Sequence, residues 1–404
     1  MRLRWRPALA LSLCVVVAQL FSVAPLVDVV TWATPDTARL AYPISHVLLA
    51  PLTLVADWLN GGSRRDLVGF ALWALVGYVL VRLAAPRPPG RARRELWYAL
   101  AFLVAVAGFA GWGYWLPRPI PRLVPASSDL LVMDVHSHTA LSHDGRPGFD
   151  AARNAAWHAR AGFDVAFVTD HNTGGAASAW RLEVPARPPR LFDGEEISLS
   201  GIHVLALGTT SVIANRPYDA SWDSTGALIR RLHADSLFLV PTLPEDWRRH
   251  TGAEFGQLSE WGADGFEIWT SSPQAMELPP SGRRTVISWS RLENRPMLGS
   301  TDMHGYGYAA TVWNLVRLPG WRTLGDAALQ RAILERLRSG GAAANQVVAL
   351  RRWLPETRLG SAAAVPVNLV LLLRTASRPH ALALLVWIWL ATAAVSLRRR
   401  AKKA

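Results

Sequence analysis

The sequence has a single cysteine, Cys14, two lysines, and only 18% charged residues. One cysteine excludes an intrachain disulfide and any metal site built from thiolates. Lysine occurs only at Lys402 and Lys403, so arginine carries almost all of the formal net charge of +13. Soluble domains usually have about 25% charged residues. The shortfall here sits in residues 1–117 and in the last stretch of the chain, where long uncharged runs occur. A basic balance can signal nucleic-acid binding. Here the cations cluster beside apolar runs instead: Arg2, Arg4 and Arg6; Arg82, Arg87, Arg91, Arg93 and Arg94; Arg398 to Arg400 with Lys402 and Lys403. That is how topology-setting charges are placed, and no nucleic-acid partner is expected.

At 404 residues the chain exceeds one core, since single cores stop growing near about 250–300 residues. About four transmembrane helices are predicted. Residues 7–27 are uncharged and long enough to span, although Ser22-Val23-Ala24 also resembles a signal-cleavage site. Residues 67–85 and 96–116 follow, the latter with Trp97, Tyr98, Trp112, Tyr114 and Trp115 at its ends, where aromatic belts lie. The fourth span is 379–397, ahead of a basic tail at 398–404. Ala41 to Ala56 is short, contains Pro43 and Pro51, and reads as interfacial or re-entrant. With the N-terminus inside, this count leaves both arginine clusters inside and the domain after Leu116 outside. The expectation is a multi-pass membrane protein, in the inner membrane if bacterial, with the domain after Leu116 extracytoplasmic.

Residues 118–345 have a different texture. Strands are predicted at Leu130–Val135, Val165–Thr169, Leu191–Ser198, His203–Leu207, Leu237–Pro241, Gly265–Trp269 and Met297–Ser300. Amphipathic helices are predicted at Asp150–Arg160, Trp222–His233 and Leu324–Arg338. Alternating strands and helices argue for an α/β fold of parallel βαβ units, such as a small β/α barrel. Residues 346–378 form an extension or linker, in which Val365–Leu373 reads as a last strand or an apolar connection.

The chemistry sits at the ends of these strands. The first ends in Asp134-Val-His136-Ser-His138, where residues two apart share a face and two imidazoles can grip one metal or two neighbouring ones. Asp144 follows in Ser142-His143-Asp144-Gly145. The next strand ends in Thr169-Asp170-His171-Asn172, the next in Gly194-Glu195-Glu196-Ile197-Ser198. His203 opens another, and Ser300-Thr301-Asp302-Met303-His304 closes the series. Imidazoles mixed with carboxylates, without sulfur, suit zinc, manganese or iron.

In this order the motifs resemble the PHP (polymerase and histidinol phosphatase) superfamily, over Met133 to about Leu318. The resemblance implies a distorted (β/α)7 barrel, two or three divalent ions, and phosphoester hydrolysis. It places metal ligands at His136, His138, Asp144, His171, Glu196, His203, Asp302 and His304, with Asp302 and His304 as catalytic residues. The sequence departs from the pattern in one place. The family has a further histidine, often His-Pro, near the end of a middle strand, and Leu239 to Asp246 contains none. Glu245 or Asp246 could substitute; His250 is too far along the chain to match.

Asp134 and Asp170 neighbour ligands and are candidates for outer partners that fix imidazole tautomers. Glu195 replaces Glu196 if the register slips by one. His143 reads as solvent-exposed. Asp264 and Glu267 belong to a strand that points toward the site. Arg153, Arg291 and Arg295 are candidate phosphate clamps, and Trp247, Trp269 and Trp313 candidate cleft residues. The function predicted is a metal-dependent phosphoesterase using metal-activated water. The alternative is a non-catalytic PHP-like domain that binds a metal or ligand in a membrane-anchored assembly or sensor. Its partners are expected to be membrane lipid and a phosphorylated small-molecule or lipid-linked substrate, with the substrate-binding residues unknown.

Overall fold

The computed structural model describes residues 5–84, 91–183, 189–199, 201–250, 252–307, 309–358 and 360–401. Arg2, Arg4, Arg87, Lys402 and Lys403 lie outside the described residues. The strands are β1 (Leu26–Asp28), β2 (Ala38–Ala41), β3 (Arg122–Pro125), β4 (Leu130–Ser137), β5 (Val165–Val168), β6 (Arg190–Ser198), β7 (His203–Leu207), β8 (Phe238–Pro241), β9 (Phe266–Thr270), β10 (Met297–Ser300), β11 (Val312–Arg317) and β12 (Asn345–Leu350). Eight of them form one mixed sheet in the order β1-β12-β11-β4-β5-β6-β7-β8. β9 and β10 form a parallel pair, β2 and β3 an antiparallel one.

All seven strands expected between residues 130 and 300 are present, but not as a parallel set. β4, β5 and β6 run parallel. The pairs β6–β7, β7–β8, β4–β11 and β11–β12 are antiparallel. At β6–β7 the reason is chain length. Ser198 pairs with His203, which leaves room for a turn only, whereas a parallel crossover takes about a dozen residues or more. The ladders leave the large sheet open at β1 and β8. β9 nevertheless lies beside β8, with the Asp264 N–H on the Leu239 carbonyl at 2.9 Å. The end of β10 returns to β4, with the His138 N–H on the Met303 carbonyl at 2.9 Å and the Asp302 N–H on the His136 carbonyl at 3.0 Å.

The expected span 7–27 is not one helix. Its helix, Arg6–Leu20, has 15 residues. At about 1.5 Å per residue it falls short of a hydrocarbon core of about 30 Å. Residues 26–28 instead pair with Leu350, Ala349 and Val348 of β12, so part of the N-terminal region belongs to the sheet. Among the described residues, three helices are long and apolar enough to cross a membrane: Arg64–Ala84, Arg93–Trp115 and Arg378–Arg398. Arg6–Leu20 and Ser361–Thr375 are shorter apolar helices. Ser361–Thr375 takes in Val365–Leu373, which is therefore neither strand nor linker, and β12 crosses the domain edge expected at 345.

Ala41–Ala56 folds into two short helices, Ile44–Leu48 and Ala50–Asn60, with Pro43 and Pro51 at their starts. They bury a polar chain. His46 Nε2 meets Asp57 at 2.8 Å, His46 Nδ1 meets His380 Nε2 at 2.9 Å, and the Ser377 hydroxyl meets His380 Nδ1 at 2.6 Å. Arg118 closes on the other oxygen of Asp57. This chain ties the start of the helix Arg378–Ala401 to the segment leaving the helix Arg91–Trp115.

β4 is buried along its whole length, in keeping with its near-continuous apolar run. The helix Ala151–Ala161 packs next to it. Asp150 caps its first turn by accepting the Arg153 N–H at 2.9 Å. Gly162 ends it at φ 93°, where a Cβ would meet the Leu123 carbonyl at 2.4 Å. Only glycine takes both that dihedral and that approach cheaply.

Candidate metal centre

The eight motif residues meet in one place. His136 and His138 leave the end of β4 with their Nε2 atoms 3.0 Å apart. Glu196 of β6 reaches both, its Oε2 3.0 Å from His136 and 3.3 Å from His138. The same oxygen is 3.3 Å from His171 Nε2, and Oε1 meets His203 Nδ1 at 2.8 Å. Asp302 Oδ1 lies 3.4 Å from His136 Nε2 and 3.2 Å from His138 Nε2. Asp144 Oδ2 bridges His304 Nε2 at 3.0 Å and His171 Nε2 at 3.4 Å. The residues fall into three overlapping groups: His138, Asp144, His171 and His304; His136, His138 and Asp302; His171, Glu196 and His203. Within each group the ligand atoms lie within 4.8 Å of one another. Pleating settles the register: Glu196 faces the cluster, while Glu195 turns away and accepts the Ile213 N–H at 2.8 Å.

The supporting residues differ in part from expectation. Glu267 is fully buried on β9 and meets His136 Nδ1 at 2.9 Å. It is the outer partner that holds that ring with Nε2 toward the cluster. Asp134 and Asp170 touch no ligand ring; they brace backbone. Asp134 accepts the Thr301 N–H at 3.1 Å and pairs with His158 Nε2 at 3.0 Å. Asp170 accepts the Thr139 N–H and hydroxyl at 2.5 and 2.7 Å. Thr301 and Thr139 adjoin Asp302 and His138, so both carboxylates position ligand-bearing loops. His158 and Asn154, on the helix after β4, escaped sequence reasoning. Asn154 donates to the His138 carbonyl at 2.9 Å. Their signal was the helical spacing that puts both on the face toward β4.

Charge explains why the cluster favours cations. Burial would lower the imidazoles of His203 and His304, yet Glu196 beside the first and Asp302 and Asp144 beside the second raise each to about 9. His136 is likewise raised against its burial by Glu196, Glu267 and Asp302. Burial would raise Glu196 and Asp302, but the imidazoles hold both below the usual carboxylate range. The folded protein thus gathers protons where carboxylates are concentrated, and divalent ions can displace them. An all-nitrogen-and-oxygen donor set fits zinc, manganese or iron.

The cluster floors a cleft of about 730 Å³. Glu245 lines it, and burial, then Asp302 and Glu196, push its carboxyl up to about 8. Of the two substitutes for the missing histidine, Glu245 therefore reaches the cleft. Asp246 is occupied with the His203 N–H at 3.3 Å. His250 points elsewhere, to the Gly201 carbonyl at 2.6 Å. His143 is exposed on the rim, its ring 4.9 Å from that of His171.

No family model matches the chain, and no curated protein does. Several solved structures are similar at low identity, three of them as follows. A candidate metal-dependent phosphoesterase from Bifidobacterium adolescentis is 16% identical, with 43% of this chain and 88% of that one covered and a TM-score of 0.34. PsfC from Pseudomonas syringae is 15% identical, over 60% of this chain and 98% of that one, with a TM-score of 0.37. An amidohydrolase from Chromobacterium violaceum, with bound sulfate and no metal, is 16% identical over 48% of this chain and 99% of that one, with a TM-score of 0.29. At such scores the chemistry rests on the site's own residues.

Several candidates fall outside the site. Asp264 braces the fold through the Leu239 N–H at 2.9 Å and Arg338 at 3.0 Å. Arg153, Arg291 and Arg295 do not line the cleft, and neither do Trp247, Trp269 and Trp313. Trp313 is core, its indole N–H on the Ala161 carbonyl at 3.1 Å. The arginine that does line the cleft is Arg64, at the start of an apolar helix. Sequence reasoning missed it because it falls between the segments 41–56 and 67–85 and belongs to no motif.

Proposed function

We propose that the chain is a metal-dependent phosphoesterase, built on a distorted seven-stranded β/α barrel and anchored in the membrane with its catalytic domain outside the cytoplasm. The barrel reading draws on the bonds that run from β8 to β9 and from the end of β10 back to β4. The functional reading is carried by one observation: residues far apart in sequence converge as three overlapping groups of metal-ligand type in one cleft. In this reading His136, His138, Asp144, His171, Glu196, His203, Asp302 and His304 hold two or three divalent ions. Such ions polarise phosphoryl oxygens and lower the pKa of an attacking water.

The chain's own residues orient and balance the site. Glu267 fixes His136, Asp134 holds the Asp302 loop, and Asp170 holds the segment after His138. Asp302 and His304 are the catalytic pair. Asp302 faces both β4 imidazoles, and His304 lines the cleft with Asp144 behind it. In this reading water adds to phosphorus, the P–O bond to the leaving oxygen breaks, and that oxygen takes its proton from solvent. The products are an alcohol with inorganic phosphate from a monoester, or with a phosphomonoester from a diester.

The test uses the purified full chain, loaded with Mn or Zn, against phenyl phosphate and bis(p-nitrophenyl) phosphate. Chelator-sensitive turnover that His138→Ala abolishes, with circular dichroism unchanged, is the expected result. A folded, metal-loaded protein inert toward both aryl esters and toward phosphate esters carried in vesicles would turn the reading to the non-catalytic binding domain. The missing middle-strand histidine is the observation that favours that alternative.

A further inference from the structure

The walls of the cleft have two origins. One is the ligand-bearing ends of the strands; the other is the feet of the apolar helices. Asn60 ends the helix Ala50–Asn60, Arg64 opens Arg64–Ala84, and Tyr114 lies in the last turn of Arg91–Trp115; all three line the cleft. The loop that carries Asp302 and His304 is fastened to these feet. The Gly307 N–H donates to the Tyr114 carbonyl at 3.0 Å, and the Ala309 N–H to Asn60 Oδ1 at 3.3 Å. The loop that carries Asp144 is fastened there too. Arg146 donates from its guanidinium to the Trp115 carbonyl at 2.9 Å and from its N–H to the His304 carbonyl at 2.8 Å. Exposed apolar side chains stand in these same segments: Trp115, Leu116, Leu141 and Tyr306. In water such a group is a liability; at the interface of a bilayer entered by the two helices it is favourable.

We infer that the cleft takes a phosphate ester anchored in the bilayer, presented sideways at the interface with its headgroup over the cluster. The inference rests on the phosphoesterase reading. Arg64 positions the phosphate. It is the one arginine among the described residues lining the cleft, and its guanidinium rests on Gln274 Oε1 at 3.1 Å. A guanidinium matches phosphate oxygens as a fork. Hydrolysis puts the oxygen of water on phosphorus and breaks the P–O bond on one side. The lipid product stays in the bilayer and the water-soluble product leaves through the open side of the cleft.

The experiment uses the full chain in phosphatidylcholine vesicles. The probes are dioleoyl phosphatidate and dioleoyl phosphatidylglycerol, with phenyl phosphate and bis(p-nitrophenyl) phosphate as soluble counterparts. At fixed bulk substrate, raising the phosphatidylcholine about tenfold should slow the lipid reaction about tenfold below saturation and leave the aryl reaction unchanged. Lipid turnover should exceed that of the matching aryl ester. Arg64→Gln should raise the surface fraction at half-saturation several-fold with a smaller change in kcat, and Arg64→Lys should recover part of it. Turnover of aryl esters with none of either lipid overturns the inference and leaves the phosphoesterase reading standing. Lipid turnover indifferent to Arg64→Gln overturns the role of Arg64. No turnover of any of the four, with metal bound, overturns both readings.

Discussion

Glu267→Ala should weaken metal binding without removing a ligand. Glu267 holds His136 Nδ1 at 2.9 Å and is fully buried. Without it the imidazole keeps its place in the chain but loses the acceptor that sets its tautomer. Outer partners of this kind are worth about 10–100-fold in metal affinity or activity, or about 1.4–2.7 kcal/mol. Glu267→Gln keeps the volume and one acceptor oxygen but not the charge, so its loss should sit at the lower end, about tenfold. The alanine variant also leaves a buried nitrogen unpaired, at about 1–3 kcal/mol of stability. Competition of Zn against a fluorescent chelator reads the affinity, and thermal unfolding in chelator reads the stability. Glu267→Ala with wild-type metal affinity would refute the claim that β9 orients the centre.

Three further outcomes follow from the geometry. Asp57→Ala breaks the buried chain through His46 and Arg118 and should cost about 3–5 kcal/mol, seen as a lowered Tm in detergent. Asn314, fully buried, donates to the Met133 and Gly299 carbonyls at 3.0 and 2.6 Å and accepts the Gly299 N–H at 2.8 Å. Asn314→Leu strands those groups and should cost about 3 kcal/mol or more by denaturant titration. In the metal-free protein Glu245 is raised to about 8 from 4.5, chiefly by burial. A raised carboxyl stabilises the fold below its unfolded value and loses that contribution as pH climbs through the folded one. Chelated protein should therefore lose stability between pH 4.5 and about 8. Glu245→Gln should flatten that slope; a slope unchanged by the substitution would contradict it.

The ligands were legible because each stands at or just beyond a strand end, and strand alternation alone lets His136 and His138 converge. Alternation also decides between Glu195 and Glu196 once the strand β6 is known. Pairing direction was not legible. The turn between Ser198 and His203 signals a hairpin only when both strands are seen to be neighbours. β1 was hidden because Leu26–Asp28 continues an apolar run that reads as membrane until its partner Leu350 is found. Arg64, in the polar stretch between the segments 41–56 and 67–85, belongs to no motif and drew no notice. The strand of Glu267 was read as pointing toward the site and the helical spacing of Asn154 and His158 was there to read, but their partners, up to 131 positions away in sequence, were not. Asp134 and Asp170 were noticed as neighbours of ligands, yet they act on Thr301 and Thr139, one loop away.

The central claim is that these eight residues make a single multinuclear metal centre, and metal content tests it most directly. The full chain, purified in detergent and loaded with Zn or Mn, is measured by mass spectrometry of the metal beside His138→Ala and His203→Ala. His138 belongs to two of the three groups and His203 to one. The account predicts about two or three equivalents in the wild type, a loss of more than one in His138→Ala, and a loss of at most one in His203→Ala. A folded wild-type protein that retains no divalent metal, or two variants that retain as much as the wild type, would contradict it.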